Sequence, residues 1–492
     1  MRLPDGARVA VIGAGPSGLL AAKHAQEAGF AVTVLEAGDD LGGQWHAGAA
    51  HSGIWPGMHT NTSRAMTAFS DFPAPDSHPL HPAAEQIRAY LRAYAEHFGV
   101  TERIRFGTRV ERVAPAPGAG WDVDGEPFDA VVVASGRFRR PYTAPGLEHF
   151  GGELLHAFDY PGAEPFRGRR VLVYGNGISG LEIASDLATV TEVVSAFRKP
   201  RYVISKVVDG VSSDWQWYTA FGALERSRLP RDELSRRLRE RVVRVAGDPA
   251  DFGAPAPDPD ILVAGLSLCQ DYLAQVAEGR IVCRPAVAAV ERDAVRFVDG
   301  TREPVDAVVC ATGYTLDIPF LASAVWDVTG PDLRLHRRTF HPDLPGFGVL
   351  GMFLAQGPFF PLLELQARWL VALWAGDVAA PPREAVRRTL AAPAAPVEVH
   401  NVLAGALADE LGAAPDLLAR PELTEALLFG PLLPPRYRLD GPGAIPGSAD
   451  LFRAQLAASP RLPVDPADVA ALRGFGLADA ADVIAASVPV AG

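Results

Sequence analysis

Two glycine-rich loops constrain this chain more than anything else in it. "GAGPSG" at 13–18 and "GNGISG" at 175–180 each follow a short apolar run, "RVAVI" and "RVLVY". Each then opens a helix-like stretch, "PSGLLAAKHAQEAG" in the first copy and "ISGLEIASDLA" in the second. Strand, G-x-G-x-x-G and helix in that order form the turn that brings backbone amides to a pyrophosphate. In the first copy Gly13 allows the turn, Gly15 lets the backbone approach the phosphates, and Gly18 lets helix pack on sheet. Pro16 and Ser17 begin the helix, whose N-terminus attracts phosphate. The next strand, "AVTVLEAG", ends at Glu36, a carboxylate placed to bind ribose hydroxyls.

The second copy repeats the pattern with Gly175, Gly177, Ser179 and Gly180. Its following strand, "TEVVSAF", ends without an acid, and Arg198, Lys199 and Arg201 come next. An acid there favours NAD, whereas a cationic cluster accommodates the 2′-phosphate of NADP. NADPH rather than NADH is therefore expected at this site.

"EPFDAVVVASG" (126–136) is echoed by "EPVDAVVCATGY" (303–314). Ser135, Thr312 and Gly313 lie at the ends of these echoed strands, where they would contact the first nucleotide or close the crossing between units. The expected fold is α/β, with two Rossmann-like dinucleotide-binding units, one inserted into the other, and a helical C-terminal segment. The expected boundaries are 1–160 and 303–378 for the first unit, 161–302 for the inserted unit and 379–492 for the C-terminal segment. A net charge of -12 argues against nucleic acid or anionic lipid as the main partner. The 3 cysteines form no C-x-x-C pair, which removes disulfide-reductase chemistry and fits a reducing cytoplasm. "FFPLLELQARWLVALWAG" is interrupted by Glu364, Gln366 and Arg368, so it is too polar for a membrane span.

Between the loops lies "FGGELLHAFDY", in which Phe150, Gly152, His156 and Tyr160 fit F-x-G-x-x-x-H-x-x-x-[YF]. "LGGQW" (41–45), "TNTSRAMTAFSDFP" (60–73), "DAVVCATGY" followed by Pro319, "ELQARW" (364–369) and "LLFGPLLPPRYRLDGPG" (427–443) complete a joint pattern. With these the chain resembles the flavin-containing monooxygenases over nearly its whole length. The resemblance implies FAD on the first unit, beside Gln44, Trp45, Thr60, Asn61 and Gln366, and NADPH on the inserted one. It implies a flavin C4a-hydroperoxide, formed with O2, that oxygenates the amine nitrogen or thioether sulfur of a small molecule. Asn61 is the implied catalytic residue, hydrogen bonding beside the flavin; no metal and no Ser-His-Asp triad is needed. His156 would sit on a hinge strand as a structural histidine rather than a base.

The animal members' hydrophobic tail has no counterpart in the sequence, so a soluble enzyme is expected, and a homodimer is a family-level expectation. Baeyer–Villiger monooxygenases typically carry Trp where Tyr160 stands and Asp where Asn61 stands, yet "WPGMHTN" and Pro161 are in their manner. Ketone or aldehyde oxygenation remains the alternative, and a non-catalytic nucleotide-binding protein the third. Substrate-pocket residues are expected from 209–222, 266–272 and 353–361.

Overall fold

The computed structural model describes residues 2–50, 52–321, 334–393, 397–458, 460 and 463–487. The chain opens with β1 (Arg8–Ile12), α1 (Pro16–Glu27) and β2 (Ala31–Leu35). Val9, Ala10 and Val11 are all fully buried, because a parallel strand covered on both faces needs no polar alternation. Helix α2 (Ala84–His97) leads to β3 (Ile104–Arg105). A three-stranded antiparallel meander within 113–128 then leads to β4 (Ala130–Val133).

The chain next builds a second sheet. Its strands are β5 (Glu153–His156), β6 (Arg170–Tyr174), β7 (Glu192–Ala196), β8 (Ile281–Arg284) and β9 (Ala307–Cys310), with α3 (Ile178–Leu187) after β6. All are parallel, in the order β8-β7-β6-β9-β5. A second antiparallel meander, within 287–304, precedes β9. The chain returns as β10 (Phe347–Val349), which joins β4 in parallel and completes the first sheet, β10-β4-β1-β2-β3. One nucleotide-binding unit is thus inserted into another.

The borders of the insertion differ from those expected. Leu154 and Leu155 on β5 pair with Val308 and Val309 on β9, and β9 pairs with β6, so both fall in the second sheet. The divisions at 160/161 and 302/303 each assign one of these strands to the wrong unit. The echoed segments explain the error: each is a meander edge followed by a core strand, occupying the same place in its own fold. The second copy belongs with the second glycine loop. The outgoing and returning chains meet side by side, Arg140–Pro141 antiparallel to Tyr314–Thr315.

Helix α4 (Phe360–Ala375) is buried on nearly all sides. Leu363, Ala367 and Leu370 pack into the core that holds α1 and α2, and Leu362, Leu365 and Trp369 pack against α5 (His400–Leu411). This double burial accounts for apolar residues on both of its faces, with Glu364, Gln366 and Arg368 the polar exceptions. Among the described residues no helix is long and apolar enough to cross a membrane.

Candidate active site

A cavity of about 450 Å³ opens at the carboxyl ends of β1, β2 and β4. Gly13, Gly15, Pro16, Ser17, Glu36, Gln44, Trp45, Thr60, Asn61 and Ser135 all line it, so ten expected residues from five segments converge. Ile178, in the first turn of α3, lines it too. The first helical turn after the second glycine loop therefore borders the cavity held by the first.

The loop geometry follows from sterics. Gly13 has φ +104, and a Cβ there would stand 2.7 Å from Ala134 O. A Cβ on Gly18 would fall 1.8 Å from Gly13 O, so Gly18 lets α1 lie against the loop and does not itself border the cavity. The second loop repeats this: Gly175 has φ +127, and a Cβ on Gly180 would fall 2.0 Å from Gly175 O. Around Gly177 nothing among the described residues lies within 4 Å of the Cβ position, which leaves the approach open. Gly15, the N-cap of α1, supplies no side-chain cap, so the helix's first amides remain for a ligand.

Glu36 is 5% exposed, and its carboxylate accepts from Ala14 N (2.6 Å) and Gly38 N (2.7 Å). Each oxygen keeps a further acceptor position, and the residue lines the cavity. The turn at Gly43–Trp45 packs so closely that a Cβ on Gly43 would sit 2.9 Å from Gly15 Cα.

The loop carrying Asn61 is held at several points. Thr60 N donates to Pro82 O (2.9 Å) and Thr60 Oγ1 to Thr62 O (2.8 Å). Ser63 donates through N (2.7 Å) and Oγ (2.8 Å) to buried Asp214 of the short helix Ser213–Trp217. In this fixed frame Asn61 Oδ1 is buried and has no partner among the described residues, and neither has Ser135 Oγ nor Arg137 Nε in the same cavity. Each buried unsatisfied group costs about 1–3 kcal/mol. Three in one cavity define a surface completed by a polar ligand, and a dinucleotide bearing amide and phosphate groups fits.

Several lining residues escaped the sequence reading: Arg109, Arg137, Phe138 and Arg139. Burial, reinforced by Arg338 for Arg137 and by Arg109 for Arg139, lowers the pKa of both guanidiniums. The available signal was "GRFRR", cations directly after the Ser135–Gly136 strand end.

Gln366 must be corrected. It is fully buried and does not line the cavity. Its Oε1 accepts from Gly351 N (3.2 Å), and its Nε2 donates to Arg338 O (3.0 Å) and Thr339 Oγ1 (3.0 Å). It braces the backbone behind the cavity. Thr312 and Gly313 likewise lie outside the lining: Thr312 Oγ1 donates to Tyr142 O, and Gly313 O accepts from Tyr142 N at 2.9 Å. Both bonds join the returning chain to the outgoing one at Tyr142.

The "FGGELLHAFDY" residues also act there. His156 Nε2 donates to Gly313 O (3.0 Å) while Nδ1 accepts from Phe158 N (3.0 Å), so both ring nitrogens are engaged. A Cβ on Gly152 would meet Asp306 O and the Phe150 ring at 2.7 Å. Tyr160 donates to Asp186 (2.7 Å) and stacks on Phe166.

Arg198, Lys199 and Arg201 are exposed, beyond the end of β7, and none has a carboxylate partner among the described residues. Asn176 in the second glycine loop donates to Lys199 O (2.7 Å), which ties the cations to that loop. Of the expected pocket segments, 353–361 contributes Phe353, Leu354, Ala355, Gly357, Phe359 and Phe360. Segment 209–222 stands behind it, with the Tyr218 ring against Gly357, and 266–272 serves as core and loop support through Cys269 and Ser267.

Two parallel-sheet units, each with a phosphate-type glycine loop and converging on one cavity, are the architecture of a two-nucleotide flavoprotein oxidoreductase. The family described as flavin-binding monooxygenase-like matches residues 6–461, and the chain belongs to that family. It is 31% identical over 490 residues to dimethylaniline monooxygenase (N-oxide-forming) 2 of Rattus norvegicus, covering 91% of each chain. It is 30% identical over 490 residues to flavin-containing monooxygenase 1 of Homo sapiens, covering 91% of this chain and 92% of that one. In fold it is similar to S-allyl-L-cysteine S-oxygenase from Allium sativum (TM-score 0.62, 22% identity, 93% of this chain and 100% of that chain). It is also similar to the open structure of cyclohexanone monooxygenase (TM-score 0.59, 19% identity, 78% of this chain and 92% of that chain). The protein is an FAD- and NADPH-dependent monooxygenase.

Proposed function

We propose that this enzyme inserts one oxygen atom from O2 into the nitrogen of an amine or the sulfur of a thioether in a small molecule. The observation that carries the reading is the unpartnered Oδ1 of Asn61, buried in the cavity that also reaches α3 of the NADPH unit. Relatives named for N-oxide formation support the substrate class.

Bound flavin and nicotinamide supply O2 activation and hydride, and the protein does the rest by placement. The Gly13–Gly18 loop and the first turn of α1 hold the FAD pyrophosphate, and Glu36 takes the ribose. The Gly175–Gly180 loop with Ser179 holds NADPH, and Arg198, Lys199 and Arg201 take its 2′-phosphate. Trp45, Phe359 and Phe360 give the cavity apolar walls that keep water from the reacting centre. Asn61, fixed by its loop, hydrogen bonds at that centre. Free Cys269, Cys283 and Cys310 support a reducing, cytoplasmic setting.

The test is stoichiometry. NADPH and O2 consumption are measured against product and H2O2 with a tertiary amine, a thioether and a cyclic ketone. One N- or S-oxide per NADPH with little H2O2 is expected. Lactone or ester from the ketone alone would assign the Baeyer–Villiger reaction instead, and H2O2 as the only product with all three would sink both readings.

A further inference from the structure

Asn61 and Ile178 face one cavity from different units, and a set of bonds outside that cavity joins the segments that carry them. The pivot is Ser63, fully buried two residues after Asn61. Its N and Oγ donate to Asp214 Oδ2 (2.7 and 2.8 Å), and its Oγ accepts from Trp215 Nε1 (2.9 Å). Its O accepts from Met66 N (3.0 Å) and Thr67 N (2.8 Å). Every polar atom of Ser63 is therefore engaged, and three of these bonds run to the inserted unit. Val211 and Trp215 pack into the core that holds Met66 and Leu362 of α4, so this part of the inserted unit seats on the first.

The segment 205–217 is bonded within itself and tied to α3. Val207–Val208 and Val211–Ser212 pair as an antiparallel hairpin, and Gln216 Nε2 donates to Val208 O (3.1 Å). Ser213 N donates to Lys206 O (2.8 Å), and Ser213 Oγ to Ser205 O. Lys206 Nζ binds Glu182 Oε1 at 2.6 Å, with each side chain 13% exposed. Glu182 stands four residues after Ile178, on the same face of α3. Direct bonds thus run from α3 through Glu182, Lys206, Ser213 and Asp214 to Ser63. Glu182, Lys206, Asp214 and Ser63 lie outside the cavity lining, while Ile178 and Asn61, at the two ends, lie in it.

We propose that Asp214 is a positioning residue for the oxygenation and, with the Glu182–Lys206 pair, locks the Asn61 loop to the helix that follows the NADPH loop. Asn61 and the first turn of α3 then hold one spacing across the cavity, and a nucleotide seated on α3 steadies residues 60–67. Breaking the link frees that loop. NADPH, a proton and O2 then yield NADP+ and H2O2 in place of NADP+, water and oxygenated product. The chemistry rests on the role proposed for Asn61, but the link itself can be tested without it.

The first readout is amide hydrogen exchange over residues 60–67 of the FAD-loaded enzyme, with and without NADP+. NADP+ should slow exchange there in the wild type, and Asp214→Leu and Lys206→Met should lose that protection. The second is product against H2O2 per NADPH, with a tertiary amine and a thioether. The product share should fall about 2- to 30-fold in both variants while FAD content stays at the wild-type level. Burial, offset in part by the bonds from Ser212 and Ser63, raises the pKa of Asp214, so the neutral Asp214→Asn is the mild replacement. It keeps an oxygen for both Ser63 donors and should preserve most of the product share; a loss equal to that of Asp214→Leu overturns the hydrogen-bonding role. Absence of NADP+ protection in the wild type overturns the proposal. So does a lower melting temperature in the variants with wild-type protection or, where the wild type oxygenates a probe, an unaltered product share, since a merely structural tie would do no more. Should Asp214→Leu fail to fold, Lys206→Met decides on the same two readouts. If protection is lost as expected but the wild type oxygenates neither probe, the link stands and the oxygenation reading falls.

Discussion

Asn61 and His156 were both singled out by motif, and their surroundings separate their roles. His156 has each ring nitrogen satisfied within the crossing between units. Asn61 has a rigid loop under it and an unsatisfied oxygen. A fixed, unpaired acceptor or donor is what a site needs if reorganisation is not to occur during reaction. Asn61→Ala should therefore keep FAD and NADPH oxidation but divert reduced oxygen from product to H2O2, losing about 10²- to 10³-fold in product formation. Undiminished coupling in that variant removes Asn61 from the mechanism. His156→Ala should instead lower the melting temperature, through about 1–3 kcal/mol of unsatisfied backbone, and keep the ratio of product to H2O2. The motifs identified both residues; nothing local showed that one nitrogen pair was closed and the other oxygen open. Gln366 was misplaced for the same reason: its position in "ELQARW" was clear, but which side of α4 meets the cavity depends on α1 and α5 packing from either side.

The glycine loops were the most legible elements, because apolar strand, tight turn and helix are all local. Gly18 and Gly180 do equivalent work in different units, so substitution should separate the two nucleotides. Gly18→Ala puts a methyl 1.8 Å from Gly13 O, and the protein should purify with little FAD. Gly180→Ala makes the same clash at 2.0 Å in the second loop and should retain FAD while raising the KM for NADPH at least tenfold, about 1.4 kcal/mol. Equal FAD content in both variants, with equal KM for NADPH, would contradict the assignment. Replacing Arg198, Lys199 and Arg201 together by Ala should reduce kcat/KM for NADPH by about 10²-fold and spare NADH, since only NADPH carries the extra phosphate. A parallel loss with both would reduce the cations to solvated surface. Which sheet β9 joins was not local: its sequence matches β4, and only its pairing with β6 places it in the second unit.

At the scale of the whole molecule, one buried network ties segments far apart in sequence. Lys23 of α1 binds Asp71 at 2.6 Å, and Arg438 binds Asp71 at 3.1 Å and Glu364 of α4 at 2.9 Å. His24, Asp71 and Glu364 come close enough to suggest a metal cluster, but Lys23 and Arg438 already supply the positive charge. The C-terminal "YRL" segment is thereby fastened beneath the first unit, which the sequence could not show because Ser70, Asp71 and Glu364, the side chains that engage Arg438, all lie far from it in the chain. Burial alone would raise the pKa of Asp71; Lys23 and Arg438 outweigh it and hold the carboxyl below its ordinary value. A carboxylate with a depressed folded pKa stabilises above its unfolded pKa of about 3.9, and that stability is lost as pH falls through the folded value. Arg438→Met removes one of the two cations and leaves Glu364 buried without it, at a cost of about 3–5 kcal/mol. The pKa of Asp71 must then rise toward its unfolded value, so the variant has less stability to lose on acidification and its deficit relative to the wild type should shrink as pH falls. Melting temperature against pH for both proteins reads this directly: a lower curve with a shallower acid limb, converging on the wild type's at low pH, supports the network, and a parallel curve a degree or less below the wild type would show that Arg438 fills space and ties nothing.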